Sequence, residues 1–272
     1  MEPFSDSIQV PVNIGPQHHA ETYPASKQQD PTIEVLKKVI RDFITKLGLS
    51  RAHLRIRRAT GQNVDHLFRL TLAERLSAIY QNRVRLNDRP SGSLSGHGSE
   101  LVHTDRVRRA LPPLLTELNT RTLLDVGCGD FLWMKEINLD CQYIGIDVVE
   151  DVIAANDRVY ASEMRIFQKL DATIDALPKA DTVLCREVMF HLYFADIWRL
   201  LANIKRSQAV FLIATNDPGL GYNADIVSGD FRLLNLHRAP FYLPSPNTSI
   251  PDDRLSPGRA LSVWKTCELG NP

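Results

Sequence analysis

The sequence predicts an α/β fold: a doubly wound, mostly parallel, seven-stranded sheet preceded by an N-terminal helical extension. Three observations carry this expectation. Short apolar runs alternate with stretches of helical periodicity through the second half of the chain. The run from Thr122 ends abruptly in an acid-and-glycine turn, Asp125-Val126-Gly127-Cys128-Gly129-Asp130. A second run, Tyr143-Ile144-Gly145-Ile146-Asp147, closes on another acid. Alternation of strand and helix means a parallel sheet covered on both faces. An acid roughly twenty residues beyond a glycine turn sits where such sheets place a ribose-binding carboxylate.

The elements follow in order. With 272 residues, 43% of them hydrophobic, the chain can bury a full core and still carry an extension, so one sheet domain plus a cap is the economical count. Residues 1–30, rich in Pro, Gln, His and Ser, read as a mobile tail, and His18-His19 has no partner at metal-ligand spacing. Residues 31–99 form the helical extension and a Ser/Gly-rich loop. Asp30-Pro31 starts a helix whose stripe Leu36, Val39, Ile40, Phe43, Ile44 and Leu47 runs to Gly48. A second helix begins with the capping box Thr71-x-x-Glu74 and buries Leu72, Leu76, Ile79 and Tyr80.

Between Pro90 and Ser99 every residue except Leu94 is Pro, Gly, Ser or His. That composition suits a lid, or else a plain linker, and the lid is the favoured reading. Residues 100–272 form the sheet domain. Val107, Ala110, Leu111, Leu114, Leu115 and Leu118 make a helical stripe that Pro112-Pro113 must kink or split. Strands follow near 122–127, 142–147, 165–170, 181–186 and 208–214, with a helix marked by Phe194, Ile197, Trp198, Leu201 and Ile204. A long Gly- and Pro-bearing insertion, 217–258, is of a size that is usually functional or disordered.

Composition excludes several classes. No run approaches the eighteen or so apolar residues of a membrane span, and the start lacks a basic-then-apolar leader, so a cytoplasmic setting is the default expectation. Cys128, Cys141, Cys185 and Cys267 form no C-x-x-C pair and suggest neither zinc nor a disulfide framework. Net charge is zero, but residues 1–110 hold 17 Lys and Arg against 11 Asp and Glu. The cluster Arg51, Arg55, Arg57, Arg58 reads as a solvated face, with an anionic or nucleic-acid contact as the alternative.

The turn itself chooses among cofactors. A dinucleotide cradle wants G-x-G-x-x-G, yet Leu132 stands where the third glycine would. Asp125 and Asp130 would repel phosphate and suit a ligand bearing an ammonium group and a sulfonium, which describes S-adenosylmethionine. Cys128 is the small residue such a turn has room for, and a nucleophilic role for it is the weaker reading.

The motif Leu124-Asp125-Val126-Gly127-Cys128-Gly129-Asp130 resembles the first motif of class I S-adenosylmethionine-dependent methyltransferases. Ile144-Gly145-Ile146-Asp147 resembles their second, Lys169-Leu170-Asp171-Ala172 the strand-end acid that meets adenine, and Ala180 to Glu187 their fourth strand. This resemblance spans about 100–216 and implies the Rossmann-like methyltransferase fold, with two further strands between 231 and 267, the last antiparallel and formed by Ala260–Trp264. It implies cofactor contacts at Asp125, Gly127, Cys128, Gly129, Asp130, Asp147, Val148, Asp171, Ala172 and Arg186. A narrower resemblance, in the Ser91–Ser99 loop, Glu187–Leu192 and Gly229–Arg232 through Pro240-Phe241, is to bacterial methyltransferases associated with glycan or surface-polymer biosynthesis.

Chemistry on such a scaffold is in-line transfer of a methyl group, with a base where the acceptor is a hydroxyl. Ligands bind beyond the carboxyl ends of the strands, which nominates His191 as general base, with Glu187 as the alternative base or as its orienting partner. Arg186 reads equally as an acid-binding group and as a sheet-end ion pair. Asp217, Tyr222, Asp230 and Arg232 are the candidate acceptor-binding residues. Asp217, Asp225 and Asp230 match no metal-binding spacing, so no metal is assigned. The favoured acceptor is a sugar hydroxyl on a glycan or glycolipid precursor. RNA or another small molecule is the alternative, disfavoured by the lack of an RNA-binding module and by Arg186-Glu187-Val188-Met189 where RNA-base N-methyltransferases carry an Asn/Asp-Pro-Pro-aromatic signature. A non-catalytic cofactor-binding partner subunit is the remaining reading, and the sequence leaves the oligomeric state open.

Overall fold

In the computed structural model the described residues are 40, 43, 44, 47, 49–85 and 92–270. One sheet of seven strands runs in the order β3-β2-β1-β4-β5-β7-β6. Its strands are β1 Thr122–Val126, β2 Gln142–Asp147, β3 Arg165–Lys169, β4 Thr182–Cys185, β5 Phe211–Asn216, β6 Thr248–Pro251 and β7 Ala260–Lys265. The first five pair in parallel, and β7 is antiparallel to both β5 and β6. The chain winds outward from β1 to β3 and then returns to lay β4 on the other side of β1. This reversal opens a crevice at the carboxyl ends of β1 and β4, the usual ligand position in open α/β sheets.

Side chains alternate across each strand and so supply two cores. Leu124, Val126, Ile144, Ile146 and Val183 pack beneath α5, Phe194–Arg206, through Ile197, Leu200, Leu201 and Ile204. Leu123, Tyr143, Leu184, Ile213 and Val263 pack on the opposite face beneath α3, Leu101–Glu117, through Val107, Leu111, Leu114 and Leu115. Near-continuous apolar runs are what parallel strands covered on both faces require. Helix α4, Glu150–Tyr160, adds Ile153 to the second core.

Of the two expected effects of Pro112-Pro113, a kink or a split, the split does not occur: α3 runs as one helix from Leu101 to Glu117. The two prolines remove the intrahelical donors to the carbonyls of Arg108 and Arg109. Residues on both sides of the pair, Leu111 with 0% exposure and Leu114 with 5%, are anchored in the core, so the packed stripe outweighs the lost bonds. The fifth strand is also displaced, at 211–216 rather than 208–214. Ala209 is buried but belongs to the turn that leaves α5, where Gln208 takes a positive φ of 65°.

Most of the expected helix 31–48 lies outside the described residues, as does the expected tail. A helix absent from the sequence reading, α1, covers Ser50–Ala59, and α2 covers Leu72–Gln81. The α2 capping box forms as expected: Thr71 Oγ1 accepts from Glu74 N–H while the Glu74 carboxylate accepts from Thr71 N–H. Leu54, Val64 and Leu67 join Val227 of the insertion in a small apolar cluster. Arg57 pairs with Asp230, so the basic cluster is not wholly a solvated face, and beyond the cluster the Arg75 guanidinium donates to the Ser228 carbonyl. Among the described residues no helix is long and apolar enough to cross a membrane.

Candidate active site

Beyond the crevice lies a concave cavity lined by residues from the strand ends, α2 and the Ser/Gly loop, with about 810 Å³ of space counting its open mouth. Its floor is the glycine turn. Gly127 and Gly129 have φ of 72° and 58°, a left-handed backbone that side chains disfavour. A Cβ at Gly127 would lie 2.5 Å from Val188 Cγ2, and one at Gly129 only 2.2 Å from Ser95 Oγ. The positions thus require glycine for conformation and for space.

Asp147, at the end of β2, lines the cavity and accepts hydrogen bonds from the Gly129 and Val149 N–H groups, one on each oxygen. Two carboxylate oxygens accept about four bonds in all, so the carboxylate keeps capacity for a ligand hydroxyl. Burial raises the Asp147 pKa, and the backbone N–H donors and Arg85 partly counter it. Asp171, just past β3, also lines the cavity, its Oδ1 accepting from Thr173 N–H and Oγ1. Ile146, Val148, Leu170 and Ala172 supply apolar wall between these acids. The combination fits S-adenosylmethionine: a main chain with no Cβ in the way, two strand-end carboxylates, and apolar surface for a flat base.

Other nominated residues lie elsewhere. Asp125 shares the strand face of Leu123, so it points into the core opposite the cavity, where Tyr143 Oη donates to it at 2.7 Å. Burial pushes its carboxyl up to about 7. Asp130 faces the Ser/Gly loop: its Oδ2 accepts from Ser93 Oγ at 2.7 Å and Leu94 N–H at 2.8 Å. Cys128 is buried beneath the turn, and burial raises its thiol well above the ordinary range, which removes the thiolate a nucleophile needs.

The Ser/Gly loop lies directly over the turn. Ser95 Oγ accepts from Asp130 N–H at 2.9 Å and shares a hydrogen bond with Tyr80 Oη of α2. Leu72, Leu76 and Tyr80, expected as buried core, are instead half-buried and form a cavity wall, while Arg85, Ser95 and Ser99 complete it. Sequence reasoning missed Arg85 and underused the α2 stripe. Its 3-4 spacing revealed an apolar face but not what that face covers.

At the end of β4, Arg186, Glu187, Val188 and His191 line the cavity. Arg186 is buried, donates bidentately to Asp252 at 2.9 Å on each arm, and stacks over Trp133. Glu187, at φ 58°, accepts from Arg259 at 3.0 Å, and Arg259 in turn donates to Asp217 at 3.1 Å. The five residues make one buried chain of charges, so Asp217 is committed inside the fold. The other side of the Glu187 carboxylate abuts Gly98, where a Cβ would lie 1.5 Å from Oε2.

His191 Nδ1 lies 2.8 Å from the carbonyl oxygen of Asp230. A carbonyl only accepts, so Nδ1 carries the proton and Nε2 keeps its lone pair. Burial, with Arg85, Arg232 and Arg259 nearby, holds the imidazole well below its usual range and therefore neutral at pH 7. The orienting group is thus a backbone carbonyl rather than Glu187. Arg232 is buried, donating to the Leu192 carbonyl at 2.8 Å and stacking over Phe194, while Tyr222 is 39% exposed. Asp225 accepts from the Phe194 and Ile226 N–H groups, and Asp230 is held by Arg57.

Residues 124–208 match a family model described as a methyltransferase domain. No curated protein matches the chain. Among solved structures, the chain is similar to the [4+2]-cyclase SpnF, at 18% identity over 62% of this chain and 70% of that one, with a TM-score of 0.42. It is also similar to the N-methyltransferase NodS from Bradyrhizobium japonicum WM9 in complex with S-adenosyl-L-homocysteine, at 18% identity over 51% and 73%, with a TM-score of 0.38. Human N-acetylserotonin methyltransferase in complex with S-adenosylmethionine aligns at 17% identity over 64% and 51%, with a TM-score of 0.37. Scores of this size carry no argument about the acceptor. The matched stretch 124–208, which is similar to a methyltransferase domain, holds the glycine turn, Asp147, Asp171 and the His191 segment, the residues whose arrangement fits S-adenosylmethionine.

Proposed function

We propose that the acceptor atom is a hydroxyl oxygen, that of a sugar on a glycan or glycolipid precursor, and that His191 is the general base. The observation that carries this reading is the Nδ1 contact to the Asp230 carbonyl, which leaves an unprotonated Nε2 on a residue of the cavity wall. When bound, S-adenosylmethionine supplies a methyl group already activated on cationic sulfur. The chain's own residues align the acceptor, exclude water and take one proton. An acceptor hydroxyl becomes strongly acidic as its oxygen forms the new bond, so a base weaker than free imidazole suffices. Glu187 is held by Arg259 and is better suited to fixing Gly98 of the loop than to accepting a proton.

Asp230 and Arg232 act in this reading as positioning residues: one presents its carbonyl to His191, the other ties down the Phe190 and Leu192 carbonyls. The choice of a sugar is supported by the resemblance of the Ser/Gly loop, the Glu187–Leu192 segment and the Gly229–Arg232 region to glycan-associated methyltransferases. The use of Arg57 and Arg75 within the fold weighs against a nucleic-acid face.

The test is a panel of sugar nucleotides, oligosaccharides, glycolipid precursors, RNA and amines with radiolabelled cofactor. Label is expected on a sugar oxygen. His191→Gln should lower kcat by about 10²–10⁴ with unchanged cofactor affinity by calorimetry. Label confined to an amine or to RNA, or full turnover in His191→Gln, overturns the proposal.

A further inference from the structure

Where the Ser/Gly loop joins α3, three metal-ligating side chains converge that take no part in the site described above. Gly96, at φ 110° and ψ 179°, occupies a backbone region essentially reserved for glycine and turns the chain into a short 3-10 turn, His97–Ser99. Glu100 follows as the N-cap of α3, and His103 lies in its first turn. The spacing His-x-x-Glu-x-x-His thereby folds onto one side. His97 Nδ1 is 3.4 Å from one Glu100 oxygen and His103 Nε2 is 3.8 Å from the other. One donor atom from each residue lies within 4.8 Å of the other two, and the imidazole rings meet edge-on at 6.4 Å.

Ordinary histidine–carboxylate pairing accounts for either contact singly. Two imidazoles gathered on one carboxylate carry a further meaning. Ligands about 2.1 Å from a tetrahedral zinc ion stand roughly 3.4 Å from one another, the separation already present between His97 and Glu100. The His103 nitrogen, at 3.8 Å from the other Glu100 oxygen, is about 0.4 Å from the same spacing. The side chains are 29%, 20% and 22% exposed, sheltered enough to hold a shell yet open to a water as fourth ligand. Two nitrogens and one carboxylate select zinc and its transition-metal neighbours over magnesium or calcium, which favour all-oxygen shells. A cation here meets the positive end of α3, and the Glu100 carboxylate at the N-cap offsets that penalty.

We propose that His97, Glu100 and His103 bind one zinc-type divalent ion that clasps the Ser/Gly loop to α3. Between the ligands lie Gly98, packed on the Glu187 carboxylate, and Ser99, on the cavity wall. Fixing their neighbours fixes the side of the active site that the loop supplies. The ion is a structural clasp and takes no part in methyl transfer. The inference is independent of which acceptor is methylated.

The test uses the full chain, stripped with a chelator and titrated with zinc chloride in a calorimeter. The expected result is one equivalent bound at micromolar Kd or tighter, weakened at least tenfold in His97→Ala and in His103→Ala. Both variants should keep the wild-type circular dichroism spectrum and metal-free cofactor affinity. A His18→Ala/His19→Ala variant and a Cys267→Ser variant should retain the full equivalent. Zinc should also slow amide hydrogen exchange in 92–103. No stoichiometric binding, equal binding by a His97→Ala/His103→Ala double variant, or exchange unaffected by zinc would each overturn the proposal.

Discussion

Replacing Arg186 by methionine asks whether this arginine serves a ligand or the fold. Its side chain is 4% exposed and that of Asp252 is 2%, and they meet through two bonds of 2.9 Å. The buried group contains three carboxylates, Asp217, Glu187 and Asp252, against two guanidiniums, Arg186 and Arg259. Arg186→Met takes its net charge from −1 to −2 and strands Asp252, whereas Arg186→Met/Asp252→Leu returns it to −1. Breaking one side of a buried pair costs about 3–5 kcal/mol, while replacing both sides by apolar groups is close to neutral. Arg259 remains near Asp252 and partly compensates, so the low end, about 3 kcal/mol, is expected for the single variant. In a chain of this size that corresponds to a Tm lower by roughly 6–12 °C. Urea unfolding of cofactor-free protein, followed by the fluorescence of buried Trp133 and Trp264, measures it without ligand linkage. A single variant within 1 kcal/mol of wild type, or a double variant as damaged as the single, would refute the argument.

Three further outcomes are expected. Thr71→Ala removes the α2 capping box and should cost about 1 kcal/mol in the same urea titration, with Thr71→Ser recovering most of it. Gly129→Ala must place a side chain at φ 58° and 2.2 Å from Ser95 Oγ, so calorimetry should show cofactor Kd weakened more than tenfold; Gly219→Ala, in open space, should leave it unchanged. Asp125, with its carboxyl raised to about 7, keeps a proton in the native state that the unfolded chain has already released. Wild-type stability should therefore fall as pH rises from about 4 through 7, while Asp125→Asn escapes that fall. The gap should approach about 4 kcal/mol at pH 8, and parallel stability curves would count against the burial argument.

Much of this was legible in the sequence because it is local. The strands β1 and β2, the glycine turn and the α2 cap are written in runs of under ten residues. The apolar run Ala260–Trp264, expected as the antiparallel strand, became β7. What escaped depends on pairing across long separations or on a choice between faces. Asp252 and Arg186 are 66 residues apart, and Arg259 and Asp217 are 42 apart, so no window contains either pair. Asp125 looked like a cofactor acid, but strand alternation assigns it to the face of Leu123 rather than that of Val126. Helix α1 was missed because its four arginines dominate a segment in which only Leu54 is buried. Pro112-Pro113 left a split open as one outcome because local backbone cost was weighed without the core that holds Leu111 and Leu114.

One side of the cavity comes from α2, which precedes the sheet in the chain by some forty residues. The floor and the roof of the chamber are therefore written in separate stretches of the gene. A version trimmed to the matched region would keep the strand-end carboxylates and glycine turn yet leave them open to bulk water. Exchange of the leading segment between relatives is a route by which the shape of the chamber can change while the nucleoside platform beneath it stays the same.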